Sequence, residues 1–239
     1  MSLKNTDFVD FLKLMVGQPY WYGTCVYNCT TSLLNSKTKQ YPTHYTSSRM
    51  TKYKKNISSK QVCADCIGLA KGFVWTNGGI GVKEAIGTGS AISKSYGSNG
   101  CPDKSADGMF AYAKTKKKNY GAISTLPEIP GLAVRKTGHV GYYIGNGEVV
   151  EAHSFAKGII ITKLKDRGWT DWYEIPGIEY PSIETETKVI EKKNYTTIRR
   201  GSKGDLVKEL QELLVTFGYE VGSTGADGIF GKDTLEAVK

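Results

Sequence analysis

The sequence predicts an α+β domain with N-terminal helices and a central antiparallel sheet, followed by a small all-α module, and three observations predict it. Helical apolar spacing is confined to the first half of the chain. Alternating apolar residues broken by turn residues dominate from about 131 to 175. A helical stripe returns only after a polar stretch near residue 190. Helices first and a meander of strands later describe α+β rather than an alternating βαβ chain.

The first helix spans 6–16, with Thr6 or Asp7 as its cap and Phe8, Phe11, Leu12 and Met15 on its apolar face. Gly17-Gln18-Pro19 stops it. Residues 24–62 are rich in Thr, Ser, Lys and Tyr with little periodicity, and read as a long insertion with short local structure. A second helix covers 64–75, where Ile67, Ala70 and Val74 share a face; Gly68 and Gly72 weaken it unless another segment packs close. Residues 78–100 read as loop around a short helix, and 105–115 as a third helix. The strands are 132–135, 139–144, 148–153, 159–163 and 172–175, with Gly145-Asn146-Gly147 closing a hairpin between the second and third. This gives a first domain over 1–180, a linker over 181–197 and a second domain over 198–239. In the second, Leu206, Leu210, Leu213, Leu214 and Phe217 form the stripe, and the final helix is cut short at Lys239.

The 239 residues suit one medium domain and one small one, and 39% apolar with 23% charged residues is ordinary for a globular chain. No apolar run reaches the ~20 residues of a membrane span, and no signal peptide is visible at the start. The formal charge of +9 is uneven: residues 195–239 carry −1 and the rest +10. A basic first domain suits a polyanion, although Lys116-Lys117-Lys118 alone reads best as a solvated loop. Five cysteines, at 25, 29, 63, 66 and 101, leave at least one thiol free.

Two short blocks carry chemistry. In Asp65-Cys66-Ile67-Gly68-Leu69, a cysteine in the first turn of a helix faces free N–H groups and the positive dipole end, which favour thiolate. In Gly138-His139-Val140-Gly141, a histidine opens an edge-like strand after a tight turn. A cysteine beside an apolar helix is more often core than catalyst, and a lone histidine more often structural. Together, in this order, they are how cysteine peptidases pair a nucleophile with a base. Val149, Glu151 and His153 share one face of the next strand, so either Glu151 or His153 could meet the imidazole Nδ1. His44 has no supporting context and receives no role.

With Gly17-Gln18-Pro19-Tyr20-Trp21-Tyr22-Gly23 before them and Tyr142-Tyr143-Ile144-Gly145-Asn146-Gly147 after, these blocks resemble, in order, the three motifs of the NlpC-type peptidases, papain-like bacterial cell-wall endopeptidases. The resemblance implies that Cys66 attacks the scissile carbonyl and His139 shuttles the proton. It gives the third role to Glu151, where many members have histidine, with His153 as the competing candidate. It also implies that Tyr20 lines the site near the oxyanion and that Asp65 contacts substrate, as in members that grip a free N-terminal amine. The bond implied is D-γ-glutamyl to the diamino acid of the peptidoglycan stem; an N-acetylmuramoyl-L-alanine amidase on the same pair is the alternative within the fold. Two departures stand out: Cys66 follows Tyr20 by 46 positions where about a dozen residues between them is usual, and Ile67 replaces a small polar residue. Residues 198–211 and Asp227-Gly228-Ile229-Phe230-Gly231 resemble the three-helix peptidoglycan-binding domain of wall hydrolases.

Cys25-x3-Cys29 and Cys63-x2-Cys66 also have spacings that a zinc site uses. On that reading Cys66 is a ligand and the chain a non-catalytic, zinc-stapled binding module, which leaves the histidine strand and the tyrosine block unexplained. The expectation is therefore an endolysin-like monomer acting at the bacterial cell wall, secreted or released by phage lysis. Its partner is peptidoglycan, with no nucleic acid, metal or organic cofactor.

Overall fold

The computed structural model describes residues 2–182 and 197–239, and the chain divides into two compact units, 1–183 and 184–239. In the first unit the elements run α1 (Asn5–Met15), β1 (Tyr27–Asn28), α2 (Thr31–Gln40), α3 (Met50–Ser58), β2 (Val62–Cys63), α4 (Cys66–Trp75), α5 (Val82–Ala85) and α6 (Ala106–Thr115). The strands β3 (Tyr120–Ala122), β4 (Ala133–Lys136), β5 (His139–Gly145), β6 (Glu148–Ser154), β7 (Gly158–Lys163) and β8 (Asp171–Tyr173) follow. These six form one antiparallel sheet in the order β3-β8-β4-β5-β6-β7. The expected α+β class and each expected strand are present; β3, which has only three residues, was not legible. The second unit holds α7 (Asp205–Thr216) and α8 (Lys232–Val238). Most of the expected linker, 183–196, lies outside the described residues.

Period-two alternation splits the sheet's side chains between two clusters. Val140, Tyr142, Val150 and Ala152 face the helices, where they pack with Phe8, Leu12, Leu69 and Phe73. Val134, Tyr143 and Val149 face the other way, onto Trp169 and Trp172. The hairpin joining β5 and β6 turns at Asn146 and Gly147, both at positive φ (54° and 68°), the geometry that matches strand twist.

α4 crosses the helix-side face of β5, and the two glycines in it have a spatial reason. A Cβ on Gly68 would lie 1.9 Å from the Thr24 carbonyl oxygen, and one on Gly72 2.0 Å from Val26 Cγ2. The start of the insertion thus packs against the α4 backbone, which offsets the intrinsic helix cost of about 1 kcal/mol per glycine. The insertion is more ordered than its sequence suggests. α2, α3 and the β1–β2 pair enclose their own aromatic cluster of Trp21, Tyr45 and Tyr53, with Leu34, Cys29 and Cys63. The Trp21 indole donates to Asn56 Oδ1 at 3.1 Å inside it.

Three local expectations are corrected. α1 starts at Asn5, so Thr6 and Asp7 lie inside it and no side chain caps it. β5 is an interior strand between β4 and β6, not an edge, because β4 returns beside it through the turn at Gly138. In α7 the buried residues are Val207 and Gln211, while Leu213 and Phe217 are 53% and 76% exposed. The Gln211 amide accounts for that rotation of the face. Its Nε2 donates to Asp227 Oδ1, the Ile229 carbonyl and Thr234 Oγ1, and its Oε1 accepts from Gly228 N at 2.8 Å. A hub that satisfies four partners fixes which side of α7 turns inward.

Candidate active site

The site begins with Asp65, which caps α4. Its Oδ1 accepts from Gly68 N at 2.6 Å and its Oδ2 from Gly23 N at 2.9 Å, so the carboxylate ties the tyrosine block to the helix start. Burial pushes the Asp65 carboxyl up, opposed by Lys71 and by those two N–H groups. Its oxygens are thus already engaged by backbone, although it borders the cleft.

Cys66 follows as the first helical residue, partly exposed in the cleft. The backbone N–H groups of Val140, Ile67 and Cys66 itself donate toward its sulfur, and its carbonyl accepts from Tyr142 Oη at 2.7 Å. The helix N-terminus was expected to favour thiolate, and the structure corrects this. Burial, helped by the Asp65 charge, outweighs the N–H groups and pushes the thiol up to about 12. The Cys66 thiol rests neutral.

His139 is at the start of β5, one residue before the Val140 N–H that reaches the Cys66 sulfur. Its Nε2, not the expected Nδ1, meets Glu151 Oε2 at 2.7 Å. Glu151 is fully buried on the neighbouring strand β6. Burial alone would raise its pKa. Hydrogen bonds from His139, Arg167 and Thr162 win and hold it down at about 2. An ionised carboxylate can only accept, so in the neutral imidazole it is Nε2 that carries the proton and Nδ1 the lone pair. That tautomer is the one a general base requires.

Arg167 grips the same carboxylate through Nε (2.6 Å) and Nη2 (2.9 Å), and Thr162 Oγ1 adds a bond of 2.8 Å. The Trp169 ring stacks on the imidazole, centroids 5.6 Å apart and planes 14° off parallel. Gly141 makes room for it: a Cβ there would come within 3.1 Å of the Trp169 ring and 2.6 Å of Val149. Sequence reasoning missed Arg167, Trp169 and Thr162. Arg167-Gly168-Trp169 read only as a gap between strands; an arginine and a tryptophan flanking a glycine there were the available signal.

His153 does not join the network. A bulge between Ala152 and Ser154 interrupts the alternation that was to align it with Glu151. Its Nδ1 is buried without a hydrogen-bond partner, and burial lowers its pKa. Tyr20 pairs with Ala64 just ahead of Cys66, and burial first, then the neighbouring Cys66, pushes its phenol up. The four cysteines of the zinc reading fall into two places: Cys29 and Cys63 lie in the insertion's cluster, and Cys25 and Cys66 at the main core, where both border the cleft. Among the described residues all five cysteines are free, and no three His, Cys, Asp or Glu side chains gather as a metal site. His44 stacks flat on Tyr22 at 3.7 Å.

Beside Cys66 opens a cleft of about 470 Å³, walled by the end of α2 and the residue after it through Lys37, Gln40 and Tyr41. Of the lysines on it, Lys71 is paired with Asp103 at 2.7 Å, while Lys37 and Lys104 have no acidic partner among the described residues.

Residues 203–239 match the family model described as "Putative peptidoglycan binding domain". The chain is 41% identical over 59 residues to the type VI secretion system spike protein VgrG3 of Vibrio cholerae. That match takes in 25% of this chain and spans only 6% of the relative's length. Among solved structures, it is similar to NlpC2 from Trichomonas vaginalis, with a TM-score of 0.37 at 11% identity over 76% of this chain and 48% of that one. It is also similar to the peptidoglycan hydrolase RipB from Mycobacterium tuberculosis, with a TM-score of 0.36 at 17% identity over 74% of this chain and 67% of that one.

Proposed function

We propose that the first unit is an NlpC-type cysteine peptidase that hydrolyses peptidoglycan stem peptides, and that the second binds the wall. The observation that carries this reading is the grouping of three residues distant in sequence. A thiol lies at a helix start, the N–H of the residue after a histidine acts on its sulfur, and Nε2 of that histidine is held at 2.7 Å by an ionised carboxylate.

In the proposed reaction His139 Nδ1 takes the Cys66 proton as sulfur attacks the scissile carbonyl carbon. The imidazolium then returns the proton to the leaving amine, and a thioester remains on Cys66. Water, deprotonated by His139, releases the acid and regenerates the thiol. Thiol and imidazole alone carry these steps. The Cys66 N–H is a candidate oxyanion donor. The bond we favour is D-γ-glutamyl to the diamino acid, the one the motif resemblance implies. Support comes from Lys37 and Lys104, cations suited to the free carboxylates of such a stem.

On this reading the protein works as a monomer at the bacterial cell wall, with peptidoglycan as its partner. The tethered second unit raises the local substrate concentration. Removing residues 195–239 then weakens action on whole walls but spares a soluble muropeptide, whereas equal loss on both would remove the tethering role. The direct test is a mass-spectrometric digest of purified peptidoglycan with wild type and Cys66→Ala. Cysteine-dependent fragments ending in γ-D-Glu are expected. Intact stems freed from glycan would mean the amidase instead, and no products from either protein would sink the hydrolase reading.

A further inference from the structure

Arg167 gives Glu151 an arrangement that its role as an imidazole partner does not require. A carboxylate that only orients His139 needs one good acceptor position. This one is enclosed by four donated bonds, two of them from a single guanidinium in bidentate geometry. The Arg167 backbone is itself held. Lys136 Nζ donates to the Arg167 carbonyl at 2.8 Å and stands over the Trp169 ring, and the 3-10 turn Leu164–Asp166 leads straight into it. Glu151 is wholly buried, so solvent cannot screen its charge. Any balancing charge must come from the protein.

We propose that Arg167 is a positioning residue that cancels the Glu151 charge, so that the pair orients His139 as a neutral acceptor would and leaves Nδ1 free to lose its proton again. The reason is electrostatic. A lone buried carboxylate 2.7 Å from the ring would stabilise the imidazolium and hold the base in its protonated form. With Arg167 bound on the far side, the hydrogen bond keeps its direction while the field at the ring falls. The other groups facing His139 do not supply this balance. Lys136, from β4, sits over the outer Trp169 ring rather than on the carboxylate. His153, from β6, is pushed toward its neutral form by burial. Cys66, from α4, is a neutral thiol at rest. Asp107, from α6, accepts from Gly138 N and pairs with Arg135.

This inference rests on the proposed reaction only for its kinetic consequence; the titration of His139 can be read without turnover. The experiment uses the full chain as wild type, Arg167→Gln, Arg167→Lys, Glu151→Gln and the Glu151→Gln/Arg167→Gln pair. The His139 ring is followed by NMR across pH, with the other two histidines assigned by substitution. In parallel, kcat/KM on a muropeptide is measured across pH. Arg167→Gln is expected to move the His139 midpoint, and with it the acid limb of kcat/KM, about one unit toward higher pH. Arg167→Lys, which keeps the charge but loses the fork, moves it by less than half as much, and the double variant returns toward wild type. An unmoved midpoint in a folded Arg167→Gln, or a lysine variant that behaves like glutamine, would overturn the proposal. If Arg167→Gln fails to fold, Glu151→Gln and the double variant decide. Removing the cation beside a neutral partner must still raise the midpoint, and equal midpoints overturn the proposal. A moved midpoint without any hydrolysis by wild type would remove the proposed function and leave the charge balance standing; an active enzyme with an unmoved midpoint would do the reverse.

Discussion

The start of α4 and the β5–β6 strand pair hold their polar groups by different means. On the α4 side the polarity comes from the backbone: Asp65 caps the helix, and three N–H groups point toward a sulfur that no charged side chain neutralises. On the β5–β6 side it comes from side chains: His139, Glu151, Arg167 and Thr162 form one connected set over the Trp169 ring. The backbone arrangement is too weak to ionise the thiol against burial, which holds it up at about 12. The side-chain arrangement is strong enough to keep a fully buried carboxylate ionised, down at about 2. The contrast teaches that the Cys66 thiol is fixed by backbone and rests neutral, whereas the charge is gathered around His139 on β5 and β6.

Substitutions on each side test that division. Cys66→Ala is expected to have the largest effect, a loss of roughly 10⁴-fold or more in muropeptide turnover, with an unchanged melting temperature. A folded variant that retains turnover would move the nucleophile elsewhere. Glu151→Gln comes next. It leaves Arg167 facing a neutral amide and is expected to lower kcat/KM on the order of 10²-fold and stability by on the order of 3 kcal/mol at neutral pH. The stability loss has a pH signature. The folded pKa of Glu151 lies at about 2, below its ordinary value of 4.5. Its contribution is therefore complete above about pH 4.5 and fades as pH falls toward 2. Urea melts at pH 6 and pH 3 should show the gap between wild type and variant shrinking; a constant gap would mean the carboxylate is not held as described.

Gly68→Ala probes the α4 side without touching a polar group. Its new Cβ would lie 1.9 Å from the Thr24 carbonyl, so a loss of about 2 kcal/mol in a urea melt is expected. No loss would mean that the insertion start can move away freely. His153→Ala should have the smallest effect, within about threefold of wild-type kcat/KM at pH 7, since its ring makes no hydrogen bond to His139. A loss as large as that of Glu151→Gln would return the third role to His153.

Much of the site was legible where the signal is local. The Asp65-Cys66 helix start and the Gly145–Gly147 hairpin need only neighbours a few residues away, so composition and periodicity expose them. The family motifs added Tyr20, His139 and Glu151, and the structure brings the last two together. Arg167 and Trp169 were not legible. They reach the site because β7 turns back toward β4, and no periodicity in a short loop records what it will touch. The insertion's aromatic cluster was hidden for a similar reason: Trp21, Tyr45 and Tyr53 meet across 32 residues with no regular spacing.

By itself, then, the sequence determined the α+β order of elements, the helix that starts at Cys66, and the strand pair that carries His139 and Glu151, because capping, turn geometry and period-two alternation act over a few residues. Tertiary structure decided which nitrogen of His139 meets Glu151, that Arg167 balances that carboxylate, which face of α7 is buried, and that the Cys66 thiol rests neutral. Each of those depends on burial and on groups from distant strands, since desolvation and paired charge are properties of a packed site and not of any stretch of chain.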